Sequence, residues 1–188
     1  MRSTDTLDPQ QRGWLLAHAR RAIAQRLQAA TEPEAEPAPA GLDQPAACFV
    51  TLTRKGKLRG CIGTLEAQQP LADAVAHYAE SAAFDDPRFP PLERQEWPDT
   101  EVELSVLSSP QPLAVASEAD LLAQLKPHLH GLIIEHGHHR ATFLPQVWEQ
   151  LPEGRDFVRQ LKRKAGLADE FPCERLNCSI YTVISIRR

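Results

Sequence analysis

Apolar residues recur along this chain in two rhythms, one helical and one alternating, and together they predict short helices interleaved with hairpins. Over residues 8–30, Leu16, Ala19, Ile23 and Leu27 return at helical spacing, with Asp8 placed to cap and Pro9 suited to the first turn. Residues 31–45 hold four prolines and almost nothing to bury, which predicts a solvated loop or linker. From Ala47 to Thr53 the rhythm changes to period two: Cys48, Val50 and Leu52 share one face of a strand. Arg54–Lys57 reads as a turn, and a second extended segment starts at Leu58 to complete a hairpin. Pro70 opens a helix with Leu71, Val75, Ala79 and Ala82 on one side. Glu101–Ser109 reads as a strand with Val102, Leu104 and Val106 inward, stopped by Pro110 and Pro112.

The second half repeats the alternation. Ser117 with Asp120 three residues later signals a helix start. Gly131–His136 and Arg140–Leu144 read as a hairpin about His136–His139, and Pro145 begins a short helical stretch. Asp156–Ala165 reads as a helix that Gly166 ends. Cys178, Ile180, Ile184 and Ile186 form one face of a final strand. Hairpins outnumber strand–helix alternations, which predicts an α+β fold with a mainly antiparallel sheet and flanking helices.

At 188 residues the chain is long enough for one domain, or one with a small appendage, to bury a core without staples. Its 21 basic residues against 25 acidic ones leave a net charge of -4, which argues against a dedicated duplex-binding protein. No apolar run approaches the roughly 20 residues of a membrane span, and residues 1–14 show no apolar signal segment. A cytoplasmic location with four cysteine thiols is therefore expected, with no membrane partner.

Candidate chemistry concentrates in a few segments. In Leu58-Arg59-Gly60-Cys61-Ile62-Gly63 the period-two rule puts Arg59 and Cys61 on one side. An arginine beside a thiol favours the nucleophilic thiolate, so Cys61 is the candidate nucleophile. The competing reading is a small buried hydrophobe in a bend that Gly60 and Gly63 permit. Asp85–Pro91 holds three prolines that stiffen a loop presenting Arg88 and Phe89. That suits anion or planar-group recognition, or else Phe89 plugs a core and Arg88 pairs with a nearby carboxylate. His130, just before Gly131, is a candidate base or a hydrogen-bonded structural histidine. The histidines at 128, 130, 136, 138 and 139 lack metal-ligand spacing, so no metal is expected, and no cofactor fingerprint is present. Arg155, Arg159, Lys162, Arg163 and Lys164 could meet nucleic acid, but sparse aromatics favour a solvated helix face.

These blocks also resemble a known family. Leu58–Gly63 is similar to the signature of the AMMECR domain family, whose prokaryotic members are called AmmeMemoRadiSam system protein A. Cys48-Phe49-Val50-Thr51, Asp86–Pro91, His130–Glu135 and Ala141–Pro145 agree in order and spacing, so the resemblance runs over residues 8–187, with 31–45 outside the pattern. It implies an α+β fold of two unequal lobes with the cysteine motif near the cleft. It also implies company, because relatives are encoded beside or fused with Memo-like and radical S-adenosylmethionine (radical SAM) proteins. It names no reaction. The expectation is an enzyme component acting with those proteins, on an unknown small molecule or macromolecule. Cys61 would be the nucleophile or radical-quenching thiol, Arg59 would hold an anionic group or the thiolate, and His130 would carry a proton. Gly60, Gly63, Arg88 and Phe89 would line the binding site. The alternative is a non-catalytic module or scaffold for the same partners.

Overall fold

The computed structural model describes residues 6–29 and 37–187, and the chain divides into two compact units. The first takes residues up to Ser108 together with Ile184 onward; the second is Ser109–Val183. Each unit has its own four-stranded sheet and its own apolar core.

In the first unit, helix α1 spans Pro9–Arg26. Asp8 caps it as expected, accepting from the Gln11 amide at 2.8 Å while Gln11 returns a bond to the Asp8 amide. The helix stops at Arg26, short of residue 30, because Gln28 turns to positive φ. Strands β1 (Cys48–Arg54) and β2 (Lys57–Gly63) form the expected hairpin. Lys55 and Gly56 both have positive φ, the two-residue turn whose twist suits paired strands. Helix α2 (Leu71–Phe84) and strand β3 (Thr100–Leu107) follow, and with β8 (Val183–Ile186) the sheet order is β2-β1-β3-β8. Cys48, Val50 and Leu52, with Leu104 and Val106, point inward and are fully buried under α1 and α2. Each such aliphatic side chain contributes about 1.5–3 kcal/mol.

Part of the presumed linker is structural. Residues 31–36 lie outside the described residues, but Leu42 is only 1% exposed and its carbonyl accepts from the Ala72 amide. The Gln11 side chain also donates to the Ala40 carbonyl. One apolar residue among prolines suffices to anchor the segment.

In the second unit, β4 (Gln111–Leu113), α3 (Glu118–Gln124), β5 (Gly131–His136), β6 (His139–Phe143), α4 (Gly154–Lys164) and β7 (Asn177–Tyr181) appear in chain order. The sheet order is β4-β7-β5-β6. Pro112 does not stop a strand; it lies inside β4, an edge strand, where a missing amide hydrogen is tolerated. Phe157, expected in the core, is fully buried and stacks on Trp148 at 3.8 Å. Lys162 departs from the solvated-face expectation: it is 1% exposed and donates to Glu118 at 2.9 Å and to the Asp169 carbonyl at 3.1 Å. Of the other four basic residues of α4, three find local partners, Arg159 on Asp156, Arg163 on Asp169 and Lys164 on the Thr142 carbonyl.

The final strand is two strands. β7 belongs to the second sheet and β8 (Val183–Ile186) to the first, with Thr182 between them. The isoleucine alternation continues across the break, so periodicity alone does not reveal it. Cys178 and Ile180 serve the second core, Ile184 and Ile186 the first.

Candidate functional site

Strand β2 is an edge strand, so one row of its backbone groups lacks a strand partner. At Cys61 that row is covered by the loop after α2. Asp86 is 4% exposed and accepts from the Cys61 amide at 2.8 Å, and Arg88 Nη2 donates to the Cys61 carbonyl at 3.2 Å. Arg88 and Asp86 close the clamp on each other, Nε to Oδ1 at 2.9 Å and Nη2 to Oδ2 at 2.7 Å. The acid–arginine pair thus supplies the donor and acceptor that a neighbouring strand would supply. Asp86 also accepts from the Arg88 amide two residues on, at 3.1 Å, the turn that Asp-Pro sequences favour.

With its backbone turned outward, Cys61 faces Thr51 across the hairpin. Pairs of this kind bring side chains closer, and Thr51 Oγ1 lies 3.3 Å from the Cys61 sulfur. Cys61 is half-buried, whereas Cys48, Cys173 and Cys178 are buried. Burial pushes the Cys48 thiol up to about 12 and Cys178 up to about 11, and it raises Cys173 as well.

Arg59 takes a different place from the one that alternation predicts. Leu52 opposes Gly60 and Thr53 opposes Leu58, so Arg59 is the extra residue of a β-bulge. Its side chain, 12% exposed, is committed to Glu96 through Nε at 3.1 Å and Nη2 at 2.9 Å, and it donates to the Pro91 carbonyl at 3.3 Å. Arg54 shares the same carboxylate at 2.9 Å. The Arg59 hydrogen bonds, first among the causes, hold the Glu96 carboxyl down at about 2. Those of Arg88 hold Asp86 well below the usual carboxylate range. Arg88 itself is held charged, first by Asp86 and more weakly by the Cys61 sulfur. Phe89 offers its ring to both arginines, with Arg88 at 5.5 Å and Arg59 at 6.0 Å from its centroid. Arg88 therefore pairs with a nearby carboxylate while its side chain remains 53% exposed.

The glycines of the signature admit backbone. A Cβ on Gly60 would lie 2.0 Å from the Ala82 carbonyl oxygen, so glycine there lets α2 pack onto β2. At Gly63 a Cβ would meet the Cys48 carbonyl and Phe49. His130 belongs to the second unit, Cys61 and its neighbours to the first. His130 is 9% exposed, and its Nδ1 accepts from the Lys126 amide at 3.2 Å. Burial lowers its pKa, with Lys126 assisting. A neutral ring accepting at Nδ1 carries its proton on Nε2, so His130 is set up as a donor. Its carbonyl accepts from Trp148 at 2.8 Å, a structural bond as well.

Thr51, Arg54, Asp86 and Glu96 escaped sequence reasoning as site residues. Asp86 carried a readable signal in its Asp-Pro turn. Glu96 carried none, because its role depends on a 3-10 helix, Arg94–Asp99, folding back towards the hairpin. Among the described residues no three metal-binding side chains converge, and no helix is long and apolar enough to cross a membrane.

Fold and site together define an α+β protein of two units, with a half-buried thiol held at a sheet edge by an acid–arginine clamp. The family description AMMECR1 matches residues 16–186, and the chain belongs to that family. It is 47% identical over 120 residues to a protein of Methanothermobacter thermautotrophicus, covering 63% of this chain and 62% of that one. It is 34% identical over 176 residues to protein MK0488 of Methanopyrus kandleri, covering 89% and 83%. The chain thus spans less than two thirds of the first relative's length. The crystal structure of the uncharacterized protein PH0010 from Pyrococcus horikoshii superposes with a TM-score of 0.78 at 31% identity, covering 95% of this chain and 92% of that one.

Proposed function

We propose that this chain is an enzyme component in which Cys61 is the reactive thiol of a cysteine-dependent modification, acting with Memo-like and radical SAM proteins. The observation that carries the reading is the contrast among its thiols. Cys61 alone of the four is not buried, and a buried acid and an arginine fix its peptide from both sides. A thiol used only for packing needs no such fixing. Arg88 and Phe89 are the binding elements, Arg88 exposed on the Cys61 carbonyl and Phe89 half-buried against Arg88, on a loop stiffened by Pro87, Pro90 and Pro91. The partners are inferred from the company that the family keeps.

Iodoacetamide labelling of the native protein between pH 6 and pH 9, read by peptide mass spectrometry, tests the thiol. Cys61 is expected to label at least as fast as free glutathione, and the other three only after unfolding. Labelling of Cys61 no faster than that of the buried thiols ends the nucleophile reading. Co-purification with the Memo-like and radical SAM proteins tests the company, and indifference to both at micromolar concentration ends that part.

A second reading, a non-catalytic binding module for the same partners, draws on the commitment of Arg59 to Glu96 and of His130 Nδ1 to Lys126. These bonds leave no complete acid–base–nucleophile set among the nominated residues. Undiminished partner capture by Cys61→Ser, with no loss of product in the reconstituted system, would favour the module.

A further inference from the structure

From Cys61 to the turn end of the β1–β2 hairpin run three guanidiniums, Arg88, Arg59 and Arg54, against two carboxylates, Asp86 and Glu96. A carboxylate offers about four lone-pair sites, and both are full. Glu96 takes Arg54 Nη1, Arg59 Nε, Arg59 Nη2 and the Glu93 amide. Asp86 takes the Cys61 amide and the Arg88 amide, Nε and Nη2. No acceptor capacity remains on either acid, yet each guanidinium has five N–H donors. Arg54 Nε is buried and meets no acceptor among the described residues. Among these five side chains positive charge exceeds negative by one, in a chain whose net charge is -4. Arg88 turns half of its side chain to solvent, and the Phe89 ring stands within cation–π range of it and of Arg59.

We infer that the substrate acted on at Cys61 carries an oxyanion, a carboxylate or phosphate group, seated against these arginines. The inference rests on the reading of Cys61 as the reactive thiol and adds to it a class of ligand. Planar guanidiniums match both oxyanions through paired N–H bonds. A neutral substrate would leave the excess charge in place, and a cation would add to it.

Two alkylating probes of similar size separate the cases. With each, the Cys61 sulfur displaces iodide and forms a thioether; iodoacetate is anionic and iodoacetamide neutral. Rates at Cys61 are taken relative to glutathione, at pH 7.5 and low ionic strength. Iodoacetate is expected to be favoured by about tenfold, a modest case of charge focusing, with saturable kinetics. Raising the salt should remove the preference. Arg54→Gln should remove most of it and Arg94→Gln none. Protection by inorganic phosphate but not acetate assigns a phosphate, the reverse a carboxylate, and protection by neither overturns the inference. Reaction with both probes in glutathione's own ratio also overturns it while leaving the reactive thiol standing. If Cys61 is inert to both probes, the proposed function fails instead. Calorimetric titration with phosphate and with acetate then decides the oxyanion seat, and no heat from either overturns it.

Discussion

Replacing Asp86 by asparagine should loosen the open edge of the first sheet at Cys61. The aspartate accepts four hydrogen bonds, two on each oxygen, and every partner is a donor. Asparagine keeps one oxygen. If that oxygen stays with the Arg88 amide and Nε, the new amide nitrogen faces the Cys61 amide across 2.8 Å, donor against donor. If it turns the other way, the same conflict arises with Arg88. Arg88 is 53% exposed and recovers much of its loss from water, so the cost falls mainly on the Cys61 amide and the lost charge assistance. That amounts to about 2–3 kcal/mol. Urea unfolding at pH 7 and hydrogen exchange at the Cys61 amide both read it. Exchange there should quicken by roughly 30- to 150-fold. The pH dependence has a definite sign. Asp86 titrates lower in the fold than in the unfolded chain, so its contribution is fully present above about pH 4 and fades as pH falls further. The gap between wild type and Asp86→Asn should be constant from pH 8 to 5 and narrower at pH 3. A gap under about 1 kcal/mol at pH 7, with unchanged exchange at Cys61, would refute the clamp.

Other outcomes follow from the same geometry. Gly60→Ala forces a methyl to within 2.0 Å of the Ala82 carbonyl; a loss of about 3 kcal/mol is expected, and an unchanged melting temperature would contradict the close approach of α2. Glu96→Gln should cost about 2 kcal/mol at neutral pH. Because the Glu96 carboxyl is held down at about 2, that cost should shrink between pH 4.5 and 2; urea midpoints across the range check it. Lys55, at φ 52 in the β1–β2 turn, should yield to asparagine with a gain of about 0.5 kcal/mol, measured by thermal unfolding.

Local rhythm made the hairpins and helices legible. Cys48, Val50 and Leu52 alternate and are all fully buried, and Asp8 with Pro9 announces the start of α1. What escaped depends on distant pairing. The bulge at Arg59 is a matter of register between two strands, and period two cannot see it. β7 and β8 share one alternation while serving two sheets. At the site, the signature drew attention to Cys61, Arg88 and Phe89 through composition and stiff prolines. Glu96 joins Arg59 across 37 positions, through a 3-10 helix that carries no apolar rhythm. Leu42 shows the converse, a single apolar residue outweighing a polar, proline-rich neighbourhood.

The parting of β7 from β8 bears on the order in which a ribosome can complete this protein. Ser185 of β8 bonds Glu103 of β3, 82 positions earlier. The first sheet emerges as β1, β2 and β3, then waits while the whole second unit is synthesised before its fourth strand arrives. Until then β3 shows an open edge, the kind of surface that invites pairing with another chain. Deleting β8 would make that temporary exposure permanent, so the arrival of this strand guards the first unit against aggregation.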